Sequence, residues 1–436
     1  MRKSLRERAA HIWLYLGTLM KWLAFAVITG VFCGVIGSVF HIGVHHATEL
    51  RMEHPWLLYC LPAAGLLIGV IYKGLGTTGY GTNTIINEVH SGDGISFWLL
   101  PTIFFSTMLT HLGGGSAGRE GVALQMGGTI GYHTGRLFRL DDRDERIATM
   151  VGMSAFFTAL FGTPMAATYF SMGVISVGII YHAALVPCLV SALVAFGVSV
   201  LMGVEPTRFA VTMPELEPVM LVKVLGLSIL CALVSILFCR VIHFFEHFVQ
   251  KVKNEWLRCA LGGVCIIALT LLLGTTDYNG AGMEVVAAAV EDGFAKPAAF
   301  LLKLLFTAIT LSVGYKGGEV VPSFFVGATF GCVVGPLLGI PAGAAAAIGM
   351  VAVFCGATNC PIASVFLAIE LFGDGGLMYF ALACGISYLL SGYNGLYSSQ
   401  TIMYSKLKAQ YINVHTNHHH AGDPHAEPPV HGNVRD

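Results

Sequence analysis

Long apolar runs broken by clusters of glycine make up most of this chain. The runs at residues 22–44, 221–238 and 297–313 reach the roughly 18 residues that a helix needs to cross a hydrocarbon core. No ten-residue alternation of the barrel kind occurs, so the pattern predicts a polytopic helical membrane protein. Glycine clusters at 77–81, 113–128 and 314–331 interrupt the apolar stretches and would break helices at membrane depth. Broken backbone is tolerated there only where protein buries it or where it lines a cavity.

Composition sharpens this picture. Apolar residues are 55% of the 436 and charged residues only 11%, against roughly 25% charged in soluble domains. The opening "MRKSLRER" puts Arg2, Lys3, Arg6 and Arg8 ahead of the first run without a signal-peptide cleavage pattern. Segment 1–19 is therefore expected in the cytoplasm, and the plasma (inner) membrane is the expected location of the chain. A net charge of -1 adds nothing about partners, and no nucleic acid is expected among them. Eleven cysteines without a CxxC pair read as buried, reduced thiols. No metal ligands at helical spacing are found, and no cofactor is expected.

A shift of 200 residues lays Gly118, Gly127, Thr129 and Gly131 on Gly318, Gly327, Thr329 and Gly331. A shift of 197 lays Ala155, Phe157, Pro164 and Ala166 on Ala352, Phe354, Pro361 and Ala363. Broken apolar segments at corresponding places in two halves point to a binding site at the repeat interface. The halves are expected at 20–205 and 221–408, joined by a Pro- and Glu-containing linker at 206–220. Beyond Lys408 the chain turns polar and carries six histidines between His415 and His431. Segment 409–436 is accordingly expected to be a disordered His-rich tail.

The stretch "GGGSAGREGVALQMGG", residues 113–128, carries the chemistry. A glycine turn leading into a helix exposes N–H groups backed by the helix dipole, which attract an anion without a full positive charge in lipid. Glu120 costs about 3 kcal/mol at mid-membrane unless satisfied. Accepting those same N–H groups, it would sit where a permeating anion sits and so act as a gate. Segment 314–331 repeats the logic with Glu319, Phe324 and Phe325, and "GTTGYGTNTI" offers a third helix start with Asn83. The bland alternative has the glycines packing helices and Arg119–Glu120 lying at a membrane surface. A second alternative is an intramembrane serine hydrolase, because "GGSAG" matches a nucleophile elbow around Ser116 with His111 nearby; that elbow needs a preceding strand, and "FFSTMLTHL" reads as a helix.

At these residues the sequence resembles the CLC family of anion channels and proton-coupled antiporters. "GREGV" is similar to its GREGP element, "GGEVVPSFFVG" to GGxFxPxLxxG, "GYGTN" to GSGIP, and "GYNGLYSS" to the segment with the central tyrosine. The resemblance spans about residues 20–408. It implies a homodimer of many-helix subunits, each an inverted repeat whose broken helices meet at a midplane anion site. The ion path would then be assigned to Tyr80, Gly81, Asn83, Gly118, Arg119, Glu120, Gly121, Val320, Val321, Phe324, Phe325 and Tyr397. The resemblance also implies that residues 361–390, with the stretch after Pro164, form the dimer surface. Tyr80 and Asn83 replace the filter serine and proline, Val122 the last proline of GREGP, and Glu319 an apolar residue, while Gly173 and Val174 stand where chloride/proton antiporters hold an internal glutamate. This set is similar to the fluoride-exporting branch of fluoride/proton antiporters. Ring edges of Tyr80, Tyr397, Phe324 and Phe325 would add to backbone donors around a small hydrated anion; packing is the commoner role for such phenylalanines. Glu120 is expected to gate and to carry the proton, with Glu319 as second carboxylate or as a helix cap. A chloride-selective channel or chloride/proton antiporter is the alternative.

Overall fold

The computed structural model describes residues 2–408 and 410–417. Sixteen α-helices appear among them, and they fall into two series of eight. The first comprises α1 (Arg2–Glu53), α2 (Leu61–Gly74), α3 (Thr82–Ser91), α4 (Leu99–Leu112), α5 (Glu120–Leu137), α6 (Asp142–Phe161), α7 (Pro164–Gly173) and α8 (Leu185–Leu201). The second comprises α9 (Pro218–Val249), α10 (Glu255–Leu273), α11 (Met283–Glu291), α12 (Ala299–Ser312), α13 (Val320–Val334), α14 (Ala342–Thr358), α15 (Pro361–Phe372) and α16 (Leu377–Leu390). Each helix has its counterpart eight places on, and α4 and α12 are both 14 residues long. Among the described residues, six helices are long and apolar enough to cross a bilayer.

The repeat is built on close backbone contact. A Cβ on Gly127 would run into the Gly152 carbonyl, and one on Gly131 into the Ala148 carbonyl, so α5 and α6 touch main chain to main chain. Gly327 and Gly331 stand in the same relation to Gly349 and Ala345 across α13 and α14. Small residues that let backbones approach are what hold helices together in lipid, where burial of apolar area gives no advantage. Proline opens both α7 and α15, where its fixed φ suits the first turn and its missing N–H costs nothing. These two helices pack on each other with Tyr169 and Phe366 stacked at 4.8 Å. The Glu370 carboxylate of α15 accepts from the N–H groups of Met165 and Ala166 at 2.8 and 2.9 Å, capping α7 from outside its own sequence.

Four expectations are corrected. Segment 1–19 is no separate piece, since α1 begins at Arg2 and runs unbroken into the first span. Run 297–313 yields a 14-residue helix that is too short to span, because Pro297 lies before its start and Gly314, at φ +115°, ends it. The linker is helical over its last three residues, since α9 opens at Pro218. Alongside the helices, and within a mainly helical membrane fold, β1 (Ser176–Val177) pairs parallel with β2 (Thr401–Tyr404), which pairs antiparallel with β3 (Tyr411–His415). Strand β3 lies inside the stretch expected to be a disordered tail; its backbone finds partners in β2 that its polar composition does not announce. Residues 418–436, with five of the tail histidines, lie outside the described residues.

Candidate functional site

The two glycine breaks meet. The N–H of Gly118 donates to the Gly318 carbonyl at 2.8 Å, and the N–H of Gly318 donates back at 2.7 Å, closing an isolated antiparallel bridge. Helix α5 starts two residues after the first glycine and α13 two residues after the second. Two helix N-termini with unpaired N–H groups and positive dipole ends are therefore fixed side by side. Each carries a carboxylate at its edge, Glu120 as the first residue of α5 and Glu319 as the N-cap of α13.

Glu120 is buried and folds back on its own helix start. Its Oε2 accepts from the Arg119 N–H at 2.8 Å, and its Oε1 lies 3.4 Å from Arg119 Nε. A carboxylate that takes the N–H groups at a helix start holds the place an anion would hold. Glu319 differs: its side chain makes no capping bond, and its buried Oε2 has no hydrogen-bond partner. A Cβ on Gly121 would lie 3.0 Å from that oxygen and 2.7 Å from the Gly318 Cα, so glycine is required for α5 to come this close.

On one side of this junction lies a cavity of ≈ 480 Å³. Its walls come from the start of α3 (Tyr80, Gly81, Thr82, Asn83), from α5 (Val122, Gln125), from the approach to α13 (Lys316, Gly317, Glu319), from Tyr397 beyond α16, and from His243, Glu246 and Arg258 at the facing ends of α9 and α10. Asn83 Oδ1 accepts from the Ser399 N–H at 3.1 Å, tying the start of α3 to the loop that carries Tyr397. Gln125 Nε2 donates to Thr82 Oγ1 at 3.0 Å, tying α5 to α3. The Tyr397 hydroxyl is buried without a partner, and its backbone carbonyl accepts from Thr416 Oγ1 at 2.6 Å.

Of the residues singled out from sequence, Tyr80, Gly81, Asn83, Glu319 and Tyr397 line the cavity. Gly118, Arg119, Glu120, Gly121, Val320 and Val321 form or flank the glycine junction behind it. Phe324 and Phe325 are fully buried: the first packs edge-on against Phe161 and Phe354, with centroids 5.8 and 5.0 Å away, and the second lies 6.3 Å from the Tyr278 ring. Sequence reading missed Gln125, Lys316, His243, Glu246 and Arg258. Gln125 could have been found, being a lone amide one turn after Val122 in a helix of small and apolar residues. Ser116 is no nucleophile elbow, since α4 and not a strand precedes it and its hydroxyl is paired with Thr307 Oγ1 at 3.0 Å.

Comparison with known proteins identifies the family and the fold. The family described as "Voltage gated chloride channel" matches residues 64–392, and the chain belongs to this CLC family. A "Chloride/fluoride channel protein" of Pseudomonas syringae pv. tomato is 37% identical over 400 residues, covering 89% of this chain and 88% of the relative. An "H(+)/Cl(-) exchange transporter ClcA" of Vibrio vulnificus is 26% identical over 389 residues, covering 81% of this chain and 82% of the relative. Among solved structures, a CLC-type fluoride/proton antiporter superposes with a TM-score of 0.85 at 31% identity, covering 88% of this chain and 98% of its own. The chain is thus a multi-pass membrane transport protein with the CLC fold.

Proposed function

We propose that this protein exports fluoride across the plasma membrane in exchange for protons, as a homodimer with its N-terminus in the cytoplasm. The observation that carries the reading is the pair of carboxylates at the Gly118–Gly318 junction, Glu120 buried and Glu319 on the cavity side with its Oε2 buried. Glu120 occupies its own helix start, and Glu319 projects an unpaired oxygen beside it. Glu120 gates by competing with the anion for the N–H groups of α5, and on protonation it leaves them and carries the proton. Glu319 is the second carboxylate of the exchange. Tyr80, Asn83 and Tyr397 hold the anion on the cavity side. The names borne by the 37%-identical relative and the 31%-identical structure support fluoride. Exposed apolar side chains on α8 and α16, Leu193, Leu201 and Met378 among them, supply surface for lipid and for a second copy.

A chloride-selective exchanger is the second reading, favoured by the 26%-identical relative. Purified protein in liposomes loaded with equal fluoride and chloride separates the two. Fluoride loss with chloride retained and external protons consumed is expected. Comparable chloride loss would remove the selectivity argument from Tyr80 and Asn83, and fluoride loss without proton movement would leave a passive channel.

A further inference from the structure

The cavity wall that holds Glu319 also holds a titratable pair that the exchange reading leaves unused. His243 and Glu246 stand one turn apart near the end of α9, with Nδ1 3.0 Å from Glu246 Oε2. The other ring nitrogen, Nε2, lies 2.9 Å from the Gly395 carbonyl oxygen and 3.0 Å from Asn417 Nδ2. A carbonyl oxygen only accepts and an amide nitrogen only donates. The Asn417 amide is oriented independently of the ring, since its Oδ1 accepts from the Gly395 N–H at 3.0 Å and its Nδ2 donates to the Gly395 carbonyl at 2.9 Å.

Nε2 therefore has a partner in either protonation state. Charged, the ring donates to the Gly395 carbonyl; neutral, it accepts the second Asn417 N–H. In both states Nδ1–H stays on Glu246. A histidine fixed by a single acceptor prefers one state, because losing the proton would strand that acceptor. Here proton gain and loss leave no nitrogen unpaired. Charged and titratable groups reach the pair's surroundings from each neighbouring element. Arg240 on α9 bonds Asn394 at 3.3 Å; Arg258 comes from α10, and Lys316, Glu319 and Tyr397 share the cavity.

We infer that His243 and Glu246 form the proton-loading station of the cavity, an inference that rests on the fluoride/proton exchange reading. The Nε2 proton of the imidazolium leaves the Gly395 carbonyl for cavity water, the neutral nitrogen then accepts the second Asn417 N–H, and the water passes one proton to the Glu319 carboxylate and is itself unchanged. Arg258 and Lys316 line the same space as Tyr80, Asn83 and Tyr397, so the wall that loads the proton faces the residues proposed to hold the anion.

The test is fluoride-driven proton uptake by proteoliposomes of the full chain, with both compartments at the same pH and the pH varied in steps. Glu246→Gln removes the carboxylate that favours the imidazolium, so the midpoint of the profile is expected to fall by about one pH unit. Asn417→Leu removes the donor that favours the neutral ring, so the midpoint is expected to rise by roughly half a unit or more. Opposite shifts support the station, whereas a purely structural role would lower the amplitude of both profiles and leave the midpoints in place. Profiles that coincide with wild type, or that shift together in one direction, overturn it. Fluoride movement without proton uptake in the wild type would instead overturn the exchange reading itself.

Discussion

Gly118 and Gly318, 200 residues apart, donate to each other's carbonyl oxygens at 2.8 and 2.7 Å. The bond pair lies where the two halves meet and fixes the spacing between the starts of α5 and α13. It leaves no room for a side chain, because a Cβ on Gly318 would fall against the Gly121 backbone, 2.8 Å from its Cα, and 3.3 Å from the Glu120 nitrogen. Backbone cannot yield as a flexible side chain can, so Gly318→Ala is expected to cost about 1–3 kcal/mol and to abolish transport. Gly226→Ala is the control, since nothing lies within 4 Å of its added Cβ and the change favours the helix by about 0.5–1 kcal/mol. Thermal melting in detergent should separate the two variants in sign.

Glu120 accepts from its own helix start while lying beside Arg119. A glutamine there keeps the shape and cannot exchange a proton. Glu120→Gln is expected to abolish fluoride-coupled proton uptake in liposomes while fluoride still binds, as read by calorimetry. Proton uptake at the wild-type rate in this variant would remove Glu120 from the proton path.

How far the sequence reveals this site depends on what each feature requires. The glycine junction is visible because close backbone approach demands glycine at 118, 121 and 318, and a demand that strict leaves its mark in composition. The boundaries of α12 are not, because apolar residues continue beyond the point where Pro297 and Gly314 confine the helix. Strand β3 escapes notice since its half-buried alternation is read only once it pairs with β2. His243, Glu246 and Arg258 reach the cavity from helices far along the chain, and nothing in one sequence reports that proximity.

Lys303 is fully buried on α12 and donates to the carbonyls of Gly280 at 2.6 Å and Tyr278 at 3.2 Å, with the Phe325 ring centroid 5.2 Å away. The loop it holds is bonded in turn to the glycine segment ahead of Glu120, Asn279 Nδ2 to the Gly114 carbonyl at 2.8 Å and the Gly280 N–H to that of Gly115 at 3.0 Å. Lys303→Met would strand two buried acceptors at about 1–3 kcal/mol each. A lowered melting temperature and slowed fluoride efflux are expected, with Lys303→Arg losing less on both. Unchanged efflux in the methionine variant would show that the loop does not support the start of α5.

Glu319 separates the functional role from the structural one. A carboxylate at a helix N-cap ordinarily stabilises by accepting from the first free N–H groups, worth about 1 kcal/mol. Here that bond is not made, and Oε2 remains buried and unpartnered beside Gly121. A buried carboxylate oxygen without a partner is a cost to the fold, so replacing the carboxylate should not destabilise. Glu319→Gln is therefore expected to melt at or above the wild-type temperature and to lose proton-coupled fluoride exchange. A lowered melting temperature with exchange intact would reverse the assignment and make Glu319 a structural cap. Retention of both would leave Glu120 as the sole carboxylate of the proposed exchange, with the proton entering and leaving by the side chain that occupies the start of α5.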